Sequence, residues 1–389
     1  MAISAAVRPR WNVVKAFMVS SLDVSLAAQL AQSIAPNLHR RAKGVNVTAR
    51  TFRGHRRSMD QNPKKTTIYD LAKLAGTSAG TVSAVLNGSW KKRRISAQMA
   101  QRVQRVADEH GYAVNMQASA LRKERSGIIG MVVPIYDNRF FSSITENFER
   151  MAREMGYFPI TTCTHRDPDL EMRAVRTMLH YQAEYVICTG STDPDSLHEL
   201  CAKAGVPTLN LDLPGRRSAS VISDNHDGAL QLARKLLDDV AGECRMLFVG
   251  GEASDHNTKE RIRGFMQAHA ERGIMVGDEQ IVTCGYEAHK ARQAMETILA
   301  SGHESYNAMF INSTISLEGV TQALSQSGQL HHGSRVVGCF DWDPLVAVLR
   351  PEIAMVKQDV ETMLAELFEL IRTGHHVQPR TIEVPPILT

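Results

Sequence analysis

The sequence predicts an α/β protein in two parts: a small helical module, then a larger body of alternating strands and helices that divides into two lobes. Three observations predict this. From Gly127 onward, short apolar runs of strand length alternate with amphipathic helical segments, as in parallel sheets covered by helices on both faces. Ahead of that body, residues 64–111 carry three short helical patterns, the second and third opened by Ser and the first by Thr. Charge divides at the same place. Residues 1–58 hold ten Lys/Arg and one acid (Asp23), residues 59–126 twelve against five, and residues 127–389 hold 23 against 35. A net charge of +4 therefore hides a basic front joined to an acidic body, which suggests a polyanionic partner for one end and a different task for the other. Charge alone does not separate nucleic acid from a membrane surface; the motifs must.

The 389 residues allow two or three domains with a sizeable core, and 26 Gly and 14 Pro are ordinary usage, which excludes collagenous and low-complexity classes. No apolar run approaches the ~18 residues of a bilayer span, so no membrane partner is expected. Cys163, Cys188, Cys201, Cys244, Cys284 and Cys339 are scattered singly and read as buried small hydrophobes in a reducing cytoplasm. Residues 1–58 lack sustained periodicity, and Val13–Val19 is too short and too broken by Lys15 for a secretory core. They are expected to be a disordered extension, or sequence upstream of a start at Met59.

The first helix follows Thr67, which can cap it, with Asp70 three residues on and Ile68, Leu71, Leu74 and Ala75 on one face; Gly76 stops it. Ser78 caps a second helix over Ala79–Asn87, ended by Gly88. Two short helices across a Gly-containing three-residue turn match the helix-turn-helix layout, whose second helix enters the DNA major groove. Ser96 opens a third helix, with Met99, Val103, Val106 and Ala107 facing inward.

Thr67-Ile68-Tyr69-Asp70, Ala75-Gly76-Thr77-Ser78, Thr81-Val82-Ser83, Val85-Leu86-Asn87-Gly88 and Gly111-Tyr112-Ala113-Val114-Asn115, followed by Ala118 and Leu121, together resemble the headpiece of the lactose-repressor family. The resemblance covers residues 64–389. It implies domains at 59–114 (headpiece), 115–126 (hinge helix and linker) and 127–389 (a two-lobed sensor and dimerisation domain, periplasmic-binding-protein-like, type I). It also implies hydroxyl contacts to phosphate from Thr67, Tyr69, Thr81 and Ser83, with Ser78 at the helix start. The family's base-reading positions are Ala79, Gly80 and Ala84 here, none able to form a bidentate hydrogen bond. Discrimination there falls to apolar contact, close backbone approach, or Thr81 and Asn87, with tight packing as the alternative reading. Lys91, Lys92, Arg93 and Arg94 lie in a connection that resembles the extended basic loop of the fructose and sucrose regulators and suits phosphate neutralisation. The resemblance places Asn115, Ala118 and Leu121 at the hinge, with Leu121 a wedge in the minor groove.

In the body, strands are expected at Ile128–Val133, Tyr157–Thr162, Tyr185–Thr189, Pro207–Leu211, Met246–Val249, Gln280–Cys284, Met309–Asn312, Val336–Phe340 and Ile353–Lys357. Helical patterns include Phe141–Met155, Asp169–His180, Asp227–Asp238, Lys259–Glu271 and Glu287–Leu299. Ligands of such sheets bind beyond the carboxyl ends of strands. There the chain places Asn138, Phe140, Phe141, Thr189, Asp212, Asn312, Asp341 and Trp342, polar groups with aromatic faces that suit a sugar. Asp224 and Asn225 read equally as helix caps, and Trp342 as core. The resemblance adds Arg261 and Gln358 as effector-pocket residues. It departs at Asn312-Ser313 and at Gly338–Asp343, so no relative's ligand carries over.

No phosphate-cradling, nucleophile-elbow or zinc-protease motif is present, and His331-His332 and His375-His376 read as solvated pairs. The expectation is a non-enzymatic, cytoplasmic transcriptional regulator, a repressor, without cofactor or metal, binding operator DNA as a homodimer under control of a sugar or sugar phosphate. A solute-binding protein with the same body is the alternative, which the basic module disfavours.

Overall fold

The computed structural model describes residues 66–112, 125–301, 306–330 and 335–389. The chain separates after Tyr112 into two compact units. The first holds α1 (Ile68–Ala75), α2 (Ala79–Leu86) and α3 (Ala97–Glu109). Thr67 and Asp70 form a reciprocal capping box on α1, and Ser78 and Ser96 accept the Thr81 and Met99 amides at the starts of α2 and α3. Gly76 ends α1 at φ +66°, a conformation that costs other residues free energy. Leu71, Val82 and Val103, fully buried, form the centre of this unit's core, each contributing roughly 1.5–3 kcal/mol.

The second unit is two sheets of six strands. One lobe holds β1 (Ile128–Val133), α4 (Arg139–Glu154), β2 (Phe158–Cys163), α5 (Pro168–His180), β3 (Tyr185–Thr189), α6 (Pro194–Lys203), β4 (Thr208–Leu211) and β5 (Ser220–Ser223). The chain then enters the other lobe through α7 (Asn225–Asp239), β6 (Met246–Val249), α8 (His256–Ala270), β7 (Ile281–Val282), α9 (Ala288–Ala300) and β8 (Ala308–Ile311). That lobe continues with α10 (Thr314–Gln326), β9 (Val336–Phe340), α11 (Pro344–Leu349) and β10 (Ala354–Lys357). Helix α12 (Val360–Thr373) and β11 (Thr381–Val384) return to the first lobe, and β12 (Ile387–Leu388) ends in the second. The chain thus crosses between lobes three times.

Strand order is β11–β5–β4–β3–β1–β2 in one sheet and β12–β10–β9–β8–β6–β7 in the other, so β4 and β9 hold the same place. All pairings are parallel except β12 on β10. Near-continuous apolar strands such as Met246–Val249 follow from burial on both faces. Helices α7 and α8 pack so closely that a Cβ on Gly264 would lie 2.3 Å from the His226 carbonyl oxygen.

Several expectations shift. The strand foreseen at Gln280–Cys284 shortens to Ile281–Val282, an edge strand with β6 as its one partner, and Gly285 instead bridges Gly251. Cys188, Cys201 and Cys339 are buried, but Cys163, Cys244 and Cys284 are only half-buried. His376 is half-buried and packs its ring edge-on against Tyr185 at 5.3 Å, not out in solvent.

Candidate functional site

In the helical unit, Tyr69, Gly80 and Asn87 are exposed and Ala79, Thr81 and Ser83 half-exposed. Several hydroxyls already have local duties. Thr67 donates to Asp70 at 2.6 Å, Ser78 and Thr81 share a 3.0 Å hydrogen bond, and Asn87 accepts from the Ser89 amide at 3.1 Å. Ala84 corrects the base-reading expectation: it is 1% exposed. Ser89 donates to its carbonyl, and Trp90 and Ile95 pack on the helical core, so the loop after α2 folds back over this position. The same fold leaves Lys91, Lys92, Arg93 and Arg94 all exposed, with Lys91 lying 5.5 Å from the Trp90 ring centre and Arg94 at φ +54°. Asn115, Ala118 and Leu121 lie outside the described residues.

Between the two lobes of the second unit is a cleft of about 770 Å³, within the range usual for small-molecule sites. Asp212 follows β4 and Asp341 follows β9, both at left-handed φ (+74° and +78°), so equivalent strands in the two lobes aim a carboxylate at the same space. Arg261, 3% exposed on α8, lies with its guanidinium 3.7 Å over the Phe340 ring. It donates through Nε to Asn225 Oδ1 (2.8 Å) and through Nη1 to the Asn312 carbonyl (2.6 Å). Asn225 donates to Asn257 Oδ1 (3.1 Å), and Asn257 to Asp212 Oδ1 (2.9 Å). This chain of buried bonds runs from one lobe to the other. Gln358, in the second crossover, donates to Asp341 Oδ1 at 2.6 Å.

Burial pushes the Asp212 carboxyl up to about 6, opposed by Arg166 and Arg261 and reinforced by Asp341 and Asp255. Burial also raises Asp341, opposed by Arg261 and the Gln358 hydrogen bond. Neither carboxylate has a contact salt bridge among the described residues, and Oδ1 is the oxygen of each that has a protein donor. The cleft is therefore poised to accept hydrogen bonds. At its mouth, His165 and Arg166 occupy consecutive left-handed conformations (φ +53° and +56°), a strained turn. The turn projects Arg166 across to Asp255 (3.4 Å) and over the Tyr286 ring (4.9 Å). A second interlobe pair joins Arg139 to Asp343 at 2.9 Å.

Of the expected pocket residues, Asn138, Phe140, Phe141, Asp212, Arg261, Asp341 and Gln358 line this cleft. Asn138 spends its side-chain oxygen capping α4, on the Phe140 and Phe141 amides. Asn312 stands behind the lining and acts through its carbonyl on Arg261. Thr189 and Trp342 are not brought to the cleft. Thr189 is buried at the end of β3. Trp342 packs against the second lobe's core, with Lys357 5.2 Å from its ring centre, because the left-handed turn at Asp341 sends the carboxylate inward and the next side chain away.

Sequence reasoning misses Asn257, Arg166, Asp255 and Tyr286, and leaves Asn225 evenly between a helix cap and a pocket residue. The cap of α7 is Asp224; Asn225 is the hub of the network. The apolar pattern starts α8 at Lys259, three residues late, which hides Asn257 one turn ahead of Arg261. Asp255 at its N-cap makes no side-chain cap bond, since its carboxylate faces Arg166.

Comparison with known proteins agrees with the two-part fold. The family model described as "Bacterial regulatory proteins, lacI family" matches residues 67–115, and that described as "Periplasmic binding protein domain" matches residues 129–349. The ribitol operon repressor of Klebsiella aerogenes is 58% identical over 192 residues, 48% of this chain and 71% of the relative. The sucrose operon repressor of Klebsiella pneumoniae is 28% identical over 310 residues, 79% and 92% of the two chains. Among solved structures, a lac repressor dimer bound to operator and the anti-inducer ONPF superposes with a TM-score of 0.71 at 22% identity, covering 84% of this chain and 98% of the other.

Proposed function

This chain belongs to the lacI family of bacterial regulatory proteins, and from that premise we propose that it is a cytoplasmic, homodimeric repressor. On this reading it binds operator DNA until a small sugar-like effector enters the cleft between its lobes. The observation that carries the reading is the buried Asp212–Asn257–Asn225–Arg261 network: it joins both lobes across a ligand-sized cleft in a chain that also carries a helix-turn-helix unit. An effector that completes the acceptor side of this network binds the closed lobes better than the open ones, and differential affinity of that kind shifts a two-state equilibrium.

The DNA-facing set in this proposal is Tyr69, Ala79, Gly80, Thr81, Ser83 and Asn87 with the loop cations Lys91, Lys92, Arg93 and Arg94, while Thr67 and Ser78 set helix starts. Ala84 acts by packing. Leu121, with Asn115 and Ala118, remains the proposed hinge. The subunit surface is α11, where Leu345, Val348 and Leu349 are 63%, 77% and 65% exposed on a helix with no buried residue. The regulated genes, by the name of the 58% identical relative, serve polyol or sugar use.

The test is selection of bound duplexes from a random pool by the full chain, followed by a titration with candidate polyols and sugars. The expected result is a near-palindromic consensus released by one of them. Retention of all duplexes alike, at every salt concentration, would remove the proposal.

A further inference from the structure

We propose that the effector is an uncharged polyhydroxyl compound and that the cleft rejects the phosphate esters of such compounds. The inference rests on reading the cleft as the effector site and goes further by fixing the ligand's charge.

Hydrogen-bond capacity points this way first. Oδ1 of Asp212 and of Asp341 is already satisfied, and Gln358 Oε1 is buried with no partner. The deep part of the cleft therefore offers acceptors, and a hydroxyl supplies the donor they lack. A phosphate dianion has acceptors only.

The cations do not offset this. Arg166 is already paired with Asp255, and Lys290, exposed at the rim, with Glu287 at 2.5 Å. Arg261 is the one lining cation without a contact carboxylate among the described residues, and it stands between two buried carboxylates, both of which it influences. Two of its five N–H groups are held by Asn225 and Asn312, and the described hydrogen bonds leave three, two on Nη2 and one on Nη1, to donate to hydroxyl oxygens.

Amide sites for an anion are equally scarce. The starts of α4 and α10 at the cleft are capped by Asn138 and Ser313. The start of α8 has no side-chain cap, which would favour an anion, but Glu252 and Asp255 lie on the turn that leads into it. One uncompensated unit charge about 6 Å away, at an effective dielectric near 20, lowers affinity on the order of 100-fold. Apolar walls from Pro134, Ile135, Phe140 and Ile315 suit the C–H faces of a sugar or polyol.

The test is calorimetric titration of the full chain at pH 7.5 with ribitol, D-arabinitol, xylitol, D-ribose and D-glucose, and with the terminal phosphate ester of each. At least one uncharged member should bind, with its own ester roughly 100-fold weaker or silent. In an Asp255→Asn chain, which frees Arg166, that ratio should narrow to about 10-fold. An ester that binds as tightly as its parent overturns the inference. So does silence from every member of both sets. Operator retention, measured in parallel, separates the two ideas: retained, the regulator reading stands without this one; lost, both fall.

Discussion

Asp212 concentrates the chemistry of the cleft in one carboxylate. Its pKa in the folded chain, about 6, is above the ordinary 3.8, because burial penalises the charged form more than Arg166 and Arg261 favour it. Folding therefore takes up a proton between about pH 4 and 6. The stability Asp212 contributes falls as pH rises through that window, reaching a full cost of about 3 kcal/mol above it. Asp212→Asn retains the oxygen that accepts from Asn257 and removes the charge. Without effector, its melting temperature at pH 7.5 should exceed that of the parent by roughly 5–10 °C, and the difference should vanish near pH 4. Equal melting at pH 7.5 would mean that the charge is already compensated. Effector affinity runs the other way: the ionised carboxylate accepts hydrogen bonds from hydroxyls, so affinity should rise as pH passes 6 in the parent. The rise should shrink in the variant, where Asp341 is the remaining acidic acceptor.

Helices α7 and α8 carry the network's hub and its cation, and their spacing is set by Gly264. A Cβ there would meet the His226 carbonyl oxygen at 2.3 Å and the Leu230 amide nitrogen at 2.8 Å, both backbone atoms that cannot rotate away. Gly264→Ala should cost about 1–3 kcal/mol in urea unfolding and weaken effector binding, because Arg261 lies one turn earlier on the displaced helix. The basic loop after α2 makes a different claim. Replacing Lys91, Lys92, Arg93 and Arg94 with Ala should reduce the slope of log K against log salt for operator binding by about 0.9 for each phosphate left unneutralised. An unchanged slope would make the loop a bystander. Both segments show what a sequence reveals and what it hides. Caps and apolar periodicity are local, so α1 to α3, β1, β3, β6 and β9 are legible residue by residue. Asp212, Asp341, Arg261 and Gln358 are legible because strand ends and a family pattern mark them. Asn257 and Arg166 are not: one sits in a first helical turn without apolar periodicity, the other in a strained turn whose purpose appears only across the cleft. Trp342 is misplaced because a left-handed turn reverses which of two neighbouring side chains faces in.

The two lobes, three crossovers and α11 form one mechanical circuit through Asp343. This residue caps α11 with Oδ1, on the Leu345 and Val346 amides at 2.8 and 3.2 Å, and accepts Arg139 of the opposite lobe on Oδ2. Partial burial acts to raise its carboxyl, but the Arg139 contact and those two amides together hold it below the usual range. Any change in lobe separation therefore loads the first turn of the helix proposed to meet the second subunit. Two variants test this. Val348→Glu puts a charge in the middle of the apolar face. It should give monomers in sedimentation at micromolar concentration and lower operator affinity at least 100-fold, because two half-sites are no longer gripped as one. Arg139→Ala leaves the α11 cap and its apolar face intact and removes the link that joins the opposite lobe to Asp343. Dimerisation should persist and effector affinity should change only a few-fold, since an ion pair this exposed contributes little by itself. The effector's power to change operator affinity should nevertheless shrink by an amount comparable to an ordinary coupling energy, about 1–3 kcal/mol or 5- to 150-fold. If that ratio survives Arg139→Ala intact, lobe closure reaches the operator by a route that bypasses α11, and one of the crossovers at Asp224, Gln358 or Pro385 must carry it instead.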